Sequence, residues 1–282
     1  MRILVTGAAG FLGRALTARL ASQPGHQLHL TDVRPSPGTV LCDLLAPAEV
    51  AALLQTAAPD QIYHLAGTFT NDYSSDFAAN VTASQHLLDA AHQTKRATRV
   101  LLIGSAAEYG SVDPGDNPLK ESQPLAPVSI YGWTKACQTL LMRYYRRVYS
   151  LDVVMGRIFN LSGAGASTRL FVGRLEEQLA LLLTGKVREI TVGNLESRRD
   201  YLPVEAVAAQ LERVMRFGQS GQEYHVASGV PTRMRDLLHQ ELRRRGLPVD
   251  CAREVLDPPA GKLDAPEIYA DISKTNALPE LA

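Results

Sequence analysis

Tyr131 and Lys135 stand four residues apart in SIYGWTK, and Ser105 lies upstream in LLIGSAAEYG. On a helix, residues at i and i+4 share a face, which would set Lys135 beside Tyr131. A free phenol titrates near pH 10 and is no base at neutral pH. A neighbouring ammonium favours the phenolate, and lowering the pKa by ~3 units takes about 4 kcal/mol of differential interaction. A tyrosine tuned in this way exchanges a proton with a substrate hydroxyl or carbonyl, while a serine hydroxyl holds the substrate oxygen. That is the protein's half of a hydride transfer, and a nicotinamide must supply the rest. A Tyr–Lys pair at this spacing is also common on exposed helix faces, so the argument turns on whether the chain binds such a cofactor.

Its opening, MRILVTGAAGFLG, is an apolar strand that runs through a glycine-punctuated turn into a helix. Ile3, Leu4 and Val5 suit a strand buried on both faces. Gly7, Gly10 and Gly13 follow at GxxGxxG spacing. The first permits a sharp turn, the second lets the backbone approach a pyrophosphate, and the third lets the helix pack closely on the sheet. The helix start then offers unpaired N–H groups and a positive dipole end to phosphates. Asp32 ends the next apolar segment, where an acid can accept both ribose hydroxyls of adenosine and repel a 2′-phosphate. This favours NAD. Arg34, two residues on, can pair with a 2′-phosphate, so NADP stays open.

The elements that must position these groups follow from the pattern. Up to about residue 160, short apolar runs at 2–6, 27–31, 38–42, 61–65, 99–104 and 152–158 read as strands. Helical patterns fall near 11–22, 47–57, 73–94 and 129–150. Such alternation predicts an α/β fold, a Rossmann-type doubly wound parallel sheet, with a small C-terminal α/β substrate lobe. Residues 1–160 are expected to bind NAD(P). Residues 161–282, with helices at 169–184, 204–217 and 233–245, are expected mainly to bind substrate while the chain crosses back to the sheet. The proline-rich segment 111–128 is a predicted loop between Ser105 and Tyr131 and hence a wall of the site.

Composition narrows the partners. The 282 residues carry 29 basic and 29 acidic side chains, and a zero balance gives no electrostatic reason to expect nucleic acid or an anionic membrane. No apolar run reaches the ~18 residues of a membrane span, and MRILVTG is too short for a secretion signal. Cys42, Cys137 and Cys251 are odd in number and far apart, as expected of reduced thiols in a cytoplasmic protein, and they have no metal-binding spacing. No metal site is expected.

The cofactor set expected from these readings is Gly7, Gly10, Phe11, Leu12, Gly13, Asp32, Arg34, Asp43, Leu44, Leu65, Ala66 and Gly67, with Tyr131 and Lys135. Asp43 is placed near the adenine amino group. The small residues of His64-Leu65-Ala66-Gly67 let the cofactor pass over a strand end, and His64 itself reads as structural. Ser105 and Ala106 are expected beside the substrate. Arg157, Asn160, Arg169, Arg174 and Arg199 are candidates for its phosphates, since a planar guanidinium grips phosphate oxygens bidentately.

TGAAGFLG, HLAG, NVTASQHLLDA, GSAAEYG, YGWTK, GRIFNLSGAG and SRRDYLPVEAV stand in an order and spacing that resemble the extended short-chain dehydrogenase/reductases acting on nucleotide-diphosphate sugars. NPLKESQPLAPVSIYGWTK and VGNLESRRDYLPVEAV look most like the GDP-6-deoxy-4-keto-mannose reductases. The resemblance implies Ser105, Tyr131 and Lys135 as catalytic residues, and Asn160 and Arg199 as contacts to the nucleotide diphosphate. It also implies a homodimer through the helices at 73–94 and 129–150.

Departures from the family pattern narrow the reaction. Sugar 4,6-dehydratases carry an acid just after the catalytic Ser or Thr, where this chain has Ala106 and Ala107, although Glu108 is one residue further on. Without that proton carrier an elimination of water lacks its acid–base group. The GDP-fucose-forming epimerase–reductases place a cysteine where Ala107 stands and a histidine after the RxFN stretch; neither is present. What remains is 4-keto reduction, or 4-epimerisation with a retained NAD. Near the C-terminus, Gly261 with Lys262 beside it replaces a diphosphate-clamping arginine of the family, and the chain stops soon after ADISKTNALPELA. The altered diphosphate region keeps a sugar lactone or hydroxy acid dehydrogenase open, whereas the intact Ser105–Tyr131–Lys135 set disfavours a non-catalytic NAD(P)-binding sensor.

Overall fold

A computed structural model describes residues 1–255 and 265–281 of the chain. The first half runs β1 (Arg2–Thr6), α1 (Phe11–Ala21), β2 (Gln27–Asp32), β3 (Thr39–Leu41), α2 (Pro47–Ala57), β4 (Gln61–His64), α3 (Tyr73–Phe77), α4 (Ala83–Gln93), β5 (Arg99–Ser105), α5 (Ile130–Tyr149) and β6 (Val153–Ile158). The second half continues with β7 (Asn160–Ser162), α6 (Phe171–Leu183), β8 (Ile190–Val192), β9 (Arg198–Pro203), α7 (Val204–Phe217), β10 (Glu223–Val226), β11 (Pro231–Arg233), α8 (Met234–Arg244), β12 (Ala252–Glu254), β13 (Glu267–Ile268) and α9 (Ser273–Asn276).

Seven strands form one parallel sheet in the order β3-β2-β1-β4-β5-β6-β10. Chain order reverses between β1 and β4. A crevice opens there, beyond the carboxyl ends of the strands, where ligands bind in open α/β sheets. The period-2 alternation of a strand sorts its side chains to two faces. Leu4, Ile62, Val100, Leu102, Val153 and Met155 share a core with α2, α4 and α5 residues such as Leu54, Leu87 and Met142. Ile3, Val5, Tyr63, Leu101 and Val154 point the other way, into a core with Leu16 and Leu20 of α1 and Val207 and Leu211 of α7. Each fully buried aliphatic side chain stabilises the fold by about 1.5–3 kcal/mol, so the two cores hold the sheet in place.

The parallel sheet and its flanking helices match the expected α/β class. The helix expected over 73–94 is instead broken in two: α3 and α4 are joined by a π turn over Ala78–Thr82. That turn carries Asn80, whose side chain accepts from Thr68 N–H and donates to Thr68 O and Thr134 Oγ1. The predicted loop 111–128 holds a short turn over Pro114–Asp116 and a bridge from Leu119 to Ala270. Beyond the sheet, β9 pairs with β7, β11 and β13, while β12 pairs with β8. Leu175, Leu179, Ile190, Val192, Leu238 and Leu242 fill a separate core under α6 and α8. Among the described residues no helix is long and apolar enough to cross a membrane.

The α1 junction shows why glycine is needed at two positions. Gly7 has φ +68°, and a Cβ there would lie 2.7 Å from Ala66 N at the end of β4. A Cβ on Gly13 would lie 2.2 Å from Gly7 O. Gly13→Ala must therefore lift α1 from the sheet, and it is expected to cost about 1–3 kcal/mol in urea unfolding. Gly115→Ala, in open space, is the control and should stay within about 0.5 kcal/mol of the parent. Equal stability of the two variants would refute this account of the turn.

Candidate active site

At the junction of β1 and α1, Gly10 precedes the helix without a side-chain cap, and the first turn of α1 has no acidic residue. The leading N–H groups at Phe11, Leu12 and Gly13 thus lack a side-chain acceptor, an arrangement suited to phosphate. Gly163 and Gly165 approach this turn from the other side: Cβ atoms built on them would lie 3.3 Å from the Phe11 ring and 3.7 Å from Arg14 Nη2. Asp32 is almost fully buried at the end of β2. It accepts from Ala9 N–H at 3.0 Å and from Arg34 N–H at 3.0 Å, with the Arg34 guanidinium 3.4 Å away. Val33, Leu41, Cys42, Asp43 and Glu49 line an adjoining hollow of about 400 Å³. Leu44 is buried in the core, and its carbonyl accepts from His86 Nδ1 at 3.0 Å. On the other side of β1, Leu65 and Ala66 press against Gly7. A Cβ on Gly67 would come within 3.5 Å of Lys135 Nζ. Glycine turn, open helix end and carboxylate together fit a dinucleotide.

The three residues read as chemical meet at the end of β5. Ser105 is its last residue and caps the turn Ala106–Tyr109. Tyr131 lies in the first turn of α5, where Ser129 Oγ accepts from Gly132 N–H at 3.0 Å, and Lys135 follows one turn later. Ser105 Oγ accepts from Ala107 N–H at 3.2 Å, and the Ser105 hydroxyl pulls the pKa of the Tyr131 phenol down. Lys135 Nζ lies 5.8 Å from the Tyr131 ring centroid and donates to Ile103 O at 3.1 Å and Gln138 Oε1 at 2.7 Å.

The electrostatics correct one expectation. Burial pushes the phenol up to about 12, the Ser105 hydroxyl works against it, and the charges of Glu108 and Asp76 reinforce it. Lys135 is pulled down to about 8 by burial, against the same two carboxylates. Desolvation thus moves Tyr131 away from the phenolate that a neighbouring ammonium was expected to favour. At neutral pH the pair is a protonated phenol beside a lysine that still carries its proton.

Two further residues depart from the sequence reading. Arg157 has no exposed surface and cannot grip a substrate phosphate. Its Nη2 pairs with Glu108 Oε2 at 3.1 Å, and its Nη1 donates to Tyr109 Oη at 2.7 Å. Glu108 is equally buried, its carboxylate accepting from Ser105 N–H at 2.7 Å and Thr139 Oγ1 at 2.6 Å. It is committed to the interior, because a buried charge must be paired. Ala106 belongs to a small core with Tyr109, Leu119 and Phe159.

The remaining candidates fall into two groups. Arg169 donates to Phe69 O at 3.0 Å, and the Phe69 ring meets Tyr131 edge-on at 4.7 Å, so Arg169 flanks the Ser–Tyr–Lys end of the cleft. Arg174 and Arg199 both act on Tyr201, whose phenol burial pushes up to about 12 while the two guanidiniums pull it down. Asn160 donates to Asp200 O at 3.1 Å, one residue from Arg199. Gly261 and Lys262 lie outside the described residues. The sequence reading missed Gln138, Asp76 and Phe69. Gln138 was accessible to it as the i+3 neighbour of Lys135, a spacing that shares its face.

The model of the NAD dependent epimerase/dehydratase family matches residues 3–227. The chain is 27% identical to dTDP-6-deoxy-L-talose 4-dehydrogenase (NAD(P)(+)) of Kitasatospora kifunensis, over 94% of this chain and 85% of the relative. It is 28% identical to GDP-6-deoxy-D-mannose reductase of Pseudomonas aeruginosa, over 84% of this chain and 78% of the relative. The structure of RMD from Pseudomonas aeruginosa complexed with NADPH superposes with a TM-score of 0.85 at 24% identity, covering 99% of this chain and 92% of that one. The glycine turn, Asp32 and the Ser–Tyr–Lys cluster stand inside the matched span, and the chain belongs to this family of NAD(P)-dependent nucleotide-sugar enzymes, the extended short-chain dehydrogenase/reductases.

Proposed function

We propose that the protein reduces a 4-keto nucleotide sugar, most specifically a 4-keto-6-deoxy GDP-sugar, with Tyr131 as the proton donor. The observation that carries this reading is Tyr131 on α5 with Lys135 Nζ 5.8 Å from its ring, beside Ser105 at the end of β5, with the phenol protonated at neutral pH. Reduction of a ketone needs a proton delivered to its oxygen, and a phenol held at about 12 carries one. Ser105 Oγ orients the carbonyl oxygen, and Tyr131 Oη passes its proton to it. Lys135 then stabilises the phenolate through the field of its ammonium. The nicotinamide supplies the hydride when bound, held by Gly7, Gly10, Gly13, Asp32, Tyr131 and Lys135. Elimination of water is disfavoured because Ala106 and Ala107 follow Ser105, and Glu108 is spent on Arg157.

Arg169 beside Phe69, and Arg174 with Arg199 and Asn160, are the groups we assign to the nucleotide diphosphate. We assign α6, α8 and the small sheets around β9 to the substrate lobe. Trp133, Leu140, Tyr144 and Val148 leave an exposed apolar stripe on α5, and Tyr73 stacks on Trp133 at 5.5 Å. This stripe suits a homodimer through α4 and α5. The three unpaired cysteines fit a reducing, cytoplasmic setting.

The test is oxidation of NADH and NADPH, followed at the nicotinamide absorbance, with GDP-4-keto-6-deoxy-mannose as substrate. Turnover is expected, and Tyr131→Phe should lower kcat by about 10²–10⁴-fold. No turnover with either coenzyme would overturn the substrate assignment. An NAD that survives purification, with interconversion of nucleotide sugars and no net NADH consumption, would instead establish a 4-epimerase. In the same assay Asp32→Ser should shift the kcat/KM ratio toward NADPH by roughly tenfold or more, since about 1.4 kcal/mol of repulsion toward a 2′-phosphate is enough for that. An unchanged ratio would remove Asp32 from coenzyme choice.

A further inference from the structure

Lys135 is held by a chain of buried side chains that the proposed chemistry leaves unused. Its ammonium has three donors; two are taken by Ile103 O and Gln138 Oε1. Gln138 is almost fully buried, and its Nε2 donates to Ser84 Oγ at 2.7 Å. The Ser84 hydroxyl donates in turn to Asn80 O at 2.6 Å. Its proton being committed there, Ser84 Oγ accepts from His64 Nε2 at 3.0 Å, which makes Nε2 the protonated nitrogen of that ring. His64 Nδ1 then accepts from Thr6 Oγ1 at 2.8 Å, and Thr6 Oγ1 accepts from Ala66 N–H at 3.3 Å. Every link has one direction. Turning the Gln138 amide over would set its NH₂ against the ammonium and oblige Ser84 to abandon Asn80 O.

We propose that Gln138 is the positioning residue of Lys135: the Thr6–His64–Ser84 chain fixes its amide so that the carbonyl oxygen faces the ammonium, which keeps Lys135 charged and leaves one N–H for the ligand. This rests on the reading of Tyr131 and Lys135 as the chemical pair. The geometry is closed at both ends, by the β1 residue that precedes Gly7 and by the lysine itself, so the cofactor turn and Lys135 share one hydrogen-bonded line. His64 has no exposed surface, and burial, reinforced by the charge of Lys135, pulls its pKa down to about 3. The ring therefore stays neutral, and the chain keeps its direction across the working pH range. The other groups that face Lys135 are Tyr131 from its own helix, Glu108 from the turn after β5 and Asp76 from α3.

The experiment is a titration of NADH binding, read by nicotinamide fluorescence, as a function of pH for the parent and two variants. Affinity for the cofactor depends on the Lys135 ammonium, so it should hold below the lysine's value of about 8 and weaken as pH rises through it. Gln138→Leu removes an acceptor of the charged form, and its midpoint should fall by about one pH unit. Gln138→Glu sets a carboxylate against the ammonium, and its midpoint should rise by about one pH unit. Opposite movements support the proposal. A residue of structural importance alone would weaken binding in both variants with the midpoint unmoved, and that result would overturn it. Should Gln138→Leu not fold, the direction of the Gln138→Glu midpoint decides, and Ser84→Ala, which frees the amide without touching Lys135, should move it down. The role of Tyr131 is judged by turnover of Tyr131→Phe, which this titration does not use, so failure of the one reading is separable from failure of the other.

Discussion

Arg157 carries a full charge at a position without solvent exposure, and Glu108 is the group that makes this tolerable. The pair is more than mutual neutralisation. One Glu108 oxygen takes the Ser105 N–H, while the other takes Thr139 of α5 and two nitrogens of Arg157 in β6. Three elements that must converge on the site are therefore tied to a single carboxylate. Removing one partner of a buried pair costs about 3–5 kcal/mol because the other charge is left unpaired. Gly104 belongs to the same joint, since a Cβ there would lie 2.6 Å from Glu108 Oε1.

The same device recurs at two other loops around the cleft. Asp76 has no exposed surface and accepts from the Thr68 hydroxyl, the Thr70 hydroxyl and N–H, and the Asn71 N–H. Burial alone would raise its pKa; the bonds from Thr70, Thr68 and Asn71 outweigh that and keep it below the usual carboxylate value. The loop it gathers presents Phe69 to Tyr131. Asp200, also unexposed, accepts from Ser228 N–H and Oγ, Gly229 N–H and Ala270 N–H, and so draws the C-terminal segments toward β9. A loop that must stand over a ligand cannot rely on an apolar core of its own. A buried carboxylate taking several backbone N–H groups supplies the fixation, since hydrogen bonds to charged groups are worth about 1.5–3 kcal/mol each.

How far the sequence carried this reading depends on the range of the physics involved. The glycine turn, Asp32 and the Tyr131–Lys135 spacing were legible because each is set by local geometry: a positive φ, a helix start, a shared helix face. The buried strands were legible from short apolar runs. Arg157 was not, since a guanidinium in a strand looks the same whether it meets phosphate or a carboxylate 49 residues away. Glu108, Asp76 and Asp200 look like surface acids for the same reason. The seventh strand, EYHV of β10, is too short and polar to stand out, and only its parallel pairing with β6 makes it part of the sheet. The break of the helix over 73–94 depends on Asn80 reaching Thr68 and Thr134, partners that no periodicity reveals.

Tyr131 and Lys135 are drawn in opposite directions by one cause. Burial disfavours the charged form of each, so the phenol rises and the ammonium falls, and the two move apart. The carboxylates of Glu108 and Asp76 move both groups the same way, toward keeping their protons, and so act on the pair as a unit. Loops fixed by negative charge thus favour the protonated phenol over the phenolate. A positively charged ligand would oppose that field and release the phenol's proton more readily. On the proposed chemistry, the direction of proton transfer at Tyr131 is set by the charge of what lies beside it, while Glu108 and Asp76 fix the surrounding loops.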